Sequence, residues 1–204
     1  MSAISYHVGD LPPGLALGPV VAVDTETMGL NLNRDRLCVV QLSAGDGTAH
    51  VVHFPEPHYH APNLVRLFAD RVVTKLFHYA RFDLAMVRRH LGVRCEPVWC
   101  TKVASKLTRT NTDRHGLKDL CRDLLGVDLS KQQQSSDWGA ATLTEEQMAY
   151  AASDVLYLHR IKERLDALLD REGRRDLAEG CFRFLPDRAE LDLAGWADED
   201  IFAH

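Results

Sequence analysis

The 204-residue sequence has no uninterrupted apolar run near its start. Leu11 to Val23 is cut by Pro12, Pro13 and Pro19, and Met1 to Asp10 is polar with no basic stretch. A membrane-spanning helix needs about 20 consecutive apolar residues, and an export signal needs a basic segment ahead of an apolar one. The expectation is a cytoplasmic protein without a membrane anchor. Cysteines are few and oddly numbered, and none of Cys38, Cys95, Cys100, Cys121 and Cys181 stands in C-x-x-C spacing. That excludes a zinc ribbon or redox dithiol and leaves reduced thiols. Positive charge is also short, with 24 Lys and Arg against 29 Asp and Glu for a net charge of −5. A protein that grips long duplex nucleic acid through a general basic surface is thereby excluded, while short or end-on substrates stay open. Compositional bias is absent too, since 46% hydrophobic and 26% charged residues describe an ordinary globular chain. The length suits one domain, read here as residues 1–204 with an extension over about 185–204.

The patterning that is present alternates strands with helices. Pro19 to Glu26 is a β-branched stretch ending in acids and reads as a buried strand. Leu37 to Ala44 and Thr48 to Phe54 flank Gly45-Asp46-Gly47, a hairpin-length turn, so three strands form an antiparallel meander. A helical stretch over Asn63 to Asp70, a strand over Thr74 to Tyr79 and a helix over Arg81 to Leu91 closed by Gly92 follow. The second half reads as helices over Thr101 to Thr108, Gly116 to Leu125 and one long segment from Glu145 to about Arg171. Thr144 with Gln147 three residues on makes a capping box for the last of these. Ser130 to Trp138 is expected to be a mobile polar connection, and Leu185 to His204 either a packed extension or an interface segment.

Carboxylates carry the chemistry. In Asp24-Thr25-Glu26 the two acids are i and i+2 on a strand and project to one face. Adjacent buried acids are costly unless a cation with oxygen ligands sits between them, although for this triplet alone a solvated turn after the strand is the better reading. Asp83 falls in the first turn of its helix, where a carboxylate also complements the helix dipole as a simple cap. Tyr150 and Asp154 are i and i+4 on an apolar helical stretch, so the phenol and the carboxylate share one face.

Order, spacing and context from Val20 to Leu158 resemble the three motifs of the DEDD exonuclease superfamily, in the subgroup with tyrosine in the third motif. Asp24 and Glu26 match the first motif, Asp83 the second, and Tyr150 with Asp154 the third. Lys75-Leu-Phe-His78 and Ser136-Asp137-Trp138 bring the likeness nearest to ribonuclease D. The resemblance implies an α/β fold of the ribonuclease H-like kind, with a mixed five-stranded sheet flanked by helices. It implies two divalent cations, Mg2+ or Mn2+, held by Asp24, Glu26, Asp83 and Asp154, with Tyr150 orienting the attacking water. Two such ions about 4 Å apart clamp the attacking and leaving oxygens of a phosphodiester and acidify a bound water. Setting these four acids aside leaves 25 acidic residues against 24 basic ones, so the acidic balance is compatible with a phosphate substrate.

Only about 30 residues follow the long helical segment, and the ending from Phe184 to His204 is similar to that of the nano-RNase C enzymes. That likeness implies degradation of short single-stranded RNA, dinucleotides especially, by a homo-oligomer such as an octameric ring. A ribonuclease D-type exonuclease acting on longer RNA or single-stranded DNA ends is the first alternative. A catalytically silent nucleic-acid-binding module is the second.

Met28 and Leu30 are candidates for contact with the terminal bases, with closure of the core at a turn containing Gly29 as the rival reading. His78 is a candidate site residue or a satisfied core histidine, and Trp138 a stacking platform or a buried packing residue. Arg109, Arg114, His115 and Lys118 form a basic cluster that reads as a phosphate receptor or as solvated surface. His50 and His53, three apart on a strand, face opposite sides and cannot chelate together. His58 and His60 lie in a Pro-rich loop without a clear acidic partner, and no structural metal is assigned.

Overall fold

The computed structural model describes residues 3–130, 132–133 and 135–204. Six strands form one mixed sheet: β1 (Ala3–Val8), β2 (Val20–Thr27), β3 (Leu37–Ser43), β4 (Thr48–His53), β5 (Thr74–Phe77) and β6 (Val98–Cys100), in the order β1-β4-β3-β2-β5-β6. The expected meander is present, with β3 antiparallel to both β2 and β4, while β1, β5 and β6 each add in parallel. The sheet therefore has six strands, not five. The two strands beyond the four read along the sequence are the flanks, β1 and β6. β1 is exposed along nearly all its length, so its pattern carries no sign of burial, and β6 is only three residues long.

The helices are α1 (Pro62–Ala69), α2 (Ala80–Leu91), α3 (Thr101–Thr108), α4 (Leu117–Leu120), α5 (Glu145–Leu156), α6 (Leu158–Arg171) and α7 (Arg175–Leu191), with π-helical turns at Cys121–Leu125 and Asp192–Trp196. The single long segment expected over 145–171 is two helices that break at Tyr157. The capping box is formed as expected. Gln147 N donates to Thr144 Oγ1 at 3.2 Å, and Thr144 N donates to Gln147 Oε1 at 2.9 Å. Residues 185–191, read as the start of an extension, are the second half of α7, which carries Pro186 within it.

β3 is buried throughout, and its apolar side chains join those of β2, β5, α1, α2 and α6 in the main core. A smaller cluster of Cys38, Val39, Val51, Trp138 and Ala151 lies where α5 crosses β3 and β4. Cys38, Cys95, Cys100 and Cys121 are buried free thiols, and Cys181 is an exposed one. The expected mobile connection 130–138 includes Lys131 and Gln134, which lie outside the described residues. Among the described residues no helix is long and apolar enough to cross a membrane.

Candidate active site

β2 delivers the first two carboxylates. Its apolar half, Val21 to Val23, is fully buried and fixes the strand in the sheet, so the acids that follow emerge at its C-terminal end. Asp24 lies opposite Gln41 of β3, whose Nε2 donates to Asp24 Oδ2 at 3.2 Å. A register shift follows at Glu26 and Thr27, where β2 leaves the ladder. On α5 the small residues Ala151 and Ala152 pack into the interior, which lets the helix lie close over β2 and β3 and brings Asp154 to the strand end. One oxygen from each of Asp24, Glu26 and Asp154 lies within 4.8 Å of the others. Asp83, 4% exposed in the first turn of α2, completes the group, and Thr25 Oγ1 donates to its Oδ1 at 2.6 Å.

These acids feel each other strongly. Burial, then the charges of Asp83, Asp154 and Glu26, raise the Asp24 carboxyl well above its ordinary range. Burial followed by Asp154 and Asp83 pushes Glu26 up to about 9. Asp83 rises to about 7, mainly through burial, even though the Thr25 bond favours its charged form. Tyr150 is raised above the ordinary phenol value by burial first and then by Asp154, Glu26 and Asp24, and it is hydrogen-bonded to Asp154. Four acids driven toward protonation by each other and by burial require a counter-charge to ionise together. The donor set is all carboxylate oxygen, which suits hard divalent cations rather than zinc or copper. Among the described residues no other group of three or more His, Cys, Asp and Glu is spaced to hold a metal.

The loop after β2 is rigidly built. Asp35 Oδ2 accepts from Asn31 N at 2.9 Å, and Thr27 Oγ1 donates to Gly29 O at 2.6 Å. A Cβ at Gly29 would stand 2.3 Å from Asp35 Oδ2, so this turn requires glycine. The loop holds Leu30 83% exposed and Met28 51% exposed, so neither side chain closes the core. His78 lies beyond β5 with Nδ1 2.8 Å from Thr101 Oγ1 at the head of α3. Burial, and to a lesser degree Lys102, pushes its pKa down to about 3, so the ring is neutral.

The expected stacking role of Trp138 is corrected. Its side chain is 1% exposed and its ring centroid is 6.0 Å from that of Tyr150, so the indole supports the phenol from within. The basic cluster is not a free phosphate receptor at Arg109, whose guanidinium pairs with Asp123 at 2.5 Å, while His115 Nδ1 lies 2.8 Å from Ser105 Oγ. His50 and His53 have separate partners, His7 and Tyr6 respectively. Sequence reading missed Thr25 and Gln41, which hold two of the site carboxylates. Gln41 had one available signal, as the polar residue inside the apolar run Leu37 to Leu42.

Comparison with known proteins bears on this arrangement. The 3'-5' exonuclease family matches residues 10–170, which include all five motif residues. This chain belongs to the 3'-5' exonuclease family. Among curated relatives of the exonuclease, ribonuclease D of Acidiphilium cryptum is 39% identical over 162 residues, covering 79% of this chain and 41% of that protein. The chain thus spans about two fifths of the length of the ribonuclease D relatives it matches. Solved structures match end to end. Brucella melitensis NrnC bound to pGG is 57% identical with a TM-score of 0.97, covering 100% of both chains. Brucella melitensis NrnC with bound Mg2+ is 57% identical with a TM-score of 0.95, covering 99% of both chains.

Proposed function

We propose that this exonuclease is a two-metal-dependent 3'-5' exoribonuclease that hydrolyses short single-stranded RNA, down to and including dinucleotides, and releases 5'-mononucleotides. The observation that carries the reading is the convergence of Asp24, Glu26, Asp83 and Asp154 at one strand end, in a chain that matches the pGG-bound NrnC over its full length. The likeness to ribonuclease D supports the exonuclease chemistry over a shorter common span.

Asp24, Glu26 and Asp154 would hold one Mg2+ or Mn2+, and Asp24 with Asp83 a second. When bound, such ions supply Lewis acidity at the phosphoryl oxygens and lower the pKa of a water. The chain's own groups do the rest. Thr25 and Gln41 fix the Asp83 and Asp24 carboxylates, so less ordering is needed as substrate arrives. Tyr150, whose raised pKa keeps its phenol protonated, orients the attacking water by hydrogen bonding and does not act as a base. Water adds at phosphorus and gives up a proton to solvent, the bond from phosphorus to the 3' oxygen breaks, that oxygen takes a proton from solvent to become a 3' hydroxyl, and a 5'-mononucleotide leaves. Met28 and Leu30 contact the terminal bases, and neutral His78 offers its remaining ring nitrogen to the nucleotide. A homo-oligomer in the cytoplasm, of the ring kind that the nano-RNase C likeness suggests, completes the reading.

The test compares a labelled RNA dinucleotide with a 20-residue RNA, each in Mg2+ and in EDTA. Metal-dependent turnover favouring the dinucleotide supports the reading. Faster turnover of the long RNA transfers it to the ribonuclease D alternative, and binding of either RNA without turnover to a silent binding module.

A further inference from the structure

Residues 137–139 join two parts of the site that are far apart in the chain. One end of this segment is tied to α5, where Gln147 Nε2 donates to Asp137 O at 3.1 Å, three residues before Tyr150. In the middle, buried Trp138 packs toward the Tyr150 ring. The other end is tied to the start of β3 by Arg36. Its Nη2 donates to Gly139 O at 3.1 Å and to Pro55 O at 2.9 Å, while Nη1 donates to Phe54 O at 2.7 Å. The guanidinium thus directs its donors to backbone carbonyls of two separate segments, a use that suits a planar fork of five donors.

Met28 meets the segment at Gly139. Its backbone is fixed first, since Met28 N donates to Arg36 O at 3.0 Å. A Cβ on residue 139 would stand 2.5 Å from Met28 Sδ, 3.4 Å from Met28 Cε and 2.9 Å from Arg36 Nη2. The thioether therefore occupies space that a side chain at 139 would fill. Methionine is unbranched and flexible, so it points one way only where something holds it. Here the sulfur end rests on the bare backbone of Gly139, and Met28 as a whole keeps 51% of its surface open, one residue past the strand that carries Asp24 and Glu26.

We propose that Gly139 and Arg36 are positioning residues for Met28: the absent side chain at 139 is the seat of the Met28 thioether, and Arg36 holds the backbone of that seat. The proposal rests on the exoribonuclease reading above and names what aims its base contact. It also puts that seat and the support of Tyr150 on adjacent residues, Gly139 and Trp138.

The experiment measures kcat and KM for an RNA dinucleotide with Mg2+, together with the melting temperature, for the full chain carrying Gly139→Ala, Met28→Ala or both. The atoms an alanine would meet are the ends of two flexible side chains, so Gly139→Ala is expected to fold and to melt close to wild type. Its KM should rise about fivefold with kcat within about twofold, the pattern of a lost contact that substrate and transition state share equally. Fivefold is the scale of about half the burial of one methionine side chain. Met28→Ala should raise KM by a similar factor. Adding Gly139→Ala to it should change KM less than about twofold, because the seat then has no occupant. A merely structural Gly139 would lower kcat or the melting temperature alike in both backgrounds and leave KM alone. An unchanged KM in Gly139→Ala, or the same fivefold rise in the Met28→Ala background, overturns the proposal. If Gly139→Ala fails to fold, Arg36→Gln decides by the same cycle: a KM rise seen only where Met28 is present supports the proposal, and a rise in both backgrounds or in neither overturns it. Failure of the unmodified protein to cleave the dinucleotide overturns the exoribonuclease reading instead.

Discussion

Replacing Asp83 by Asn should stabilise the protein in the absence of metal, although it removes a carboxylate from the site. Asp83 is 4% exposed, and its pKa stands at about 7 in the folded chain against 3.8 ordinarily. Three pKa units correspond to about 4 kcal/mol at most, and relaxation of the surrounding acids lowers this to about 2–4 kcal/mol. The sign follows from proton linkage. Between pH 3.8 and about 7 the folded chain holds a proton that the unfolded chain has released, so stability falls as pH rises through that window. The loss is complete above it. Asn carries no charge and still accepts the Thr25 hydrogen bond, so it escapes the whole penalty. Thermal denaturation in EDTA should show a small advantage for Asp83→Asn near pH 4, growing to 2–4 kcal/mol at pH 8. A domain of this size converts that to roughly 5–15 °C in Tm. Saturating Mg2+ should reverse the order, because the cation binds the folded wild type and stabilises it by mass action. An Asn variant less stable than wild type at pH 8 without metal would refute the reasoning, as would an advantage that does not change with pH.

Other perturbations have different signatures. Thr25→Val leaves the buried Asp83 carboxylate without its hydroxyl partner and should weaken divalent-metal affinity about 10- to 100-fold, read by calorimetry. Leu30→Ala, at an 83% exposed position, should leave stability within about 0.5 kcal/mol while raising the dinucleotide KM several-fold. Trp138→Ala empties a fully buried site under Tyr150 and should cost about 3–5 kcal/mol in denaturant unfolding. A stacking platform exposed to solvent would show almost no such cost.

The contrast between Leu30 and Trp138 shows where sequence reading ends. Both are large apolar residues near a motif, yet one is held in solvent by Asp35 and Gly29 and the other is enclosed by β3, β4 and α5. Burial of a single side chain depends on distant segments, which local pattern does not encode. Strand and helix periodicity put Asp24 with Glu26 and Tyr150 with Asp154 on shared faces, but only the resemblance to the DEDD exonucleases joined these pairs to Asp83, and the structure brings the five side chains together. The meander and the capping box at Thr144 were legible from local pattern alone. β1 was missed because an exposed edge strand has no buried face to imprint on its pattern. α7 was missed because Pro186 and Gly180 interrupt a helix that packing against α2 and β6 sustains. The break at Tyr157 lies inside an apolar pattern that continues across it, so the pattern reads as one helix. Thr25 and Gln41 act through partners 58 and 17 residues away, a relation that only the fold creates.

The central claim is that Asp24, Glu26, Asp83 and Asp154 act with Tyr150 as one metal-dependent exonuclease centre. Its most direct test is a time course of a 5'-labelled RNA dinucleotide with Mg2+ for the wild type, Asp24→Asn and Tyr150→Phe, each checked for folding by its melting curve. The account predicts conversion to mononucleotides by the wild type, abolished by EDTA and by Asp24→Asn and strongly slowed by Tyr150→Phe. Undiminished cleavage by a folded Asp24→Asn would contradict it.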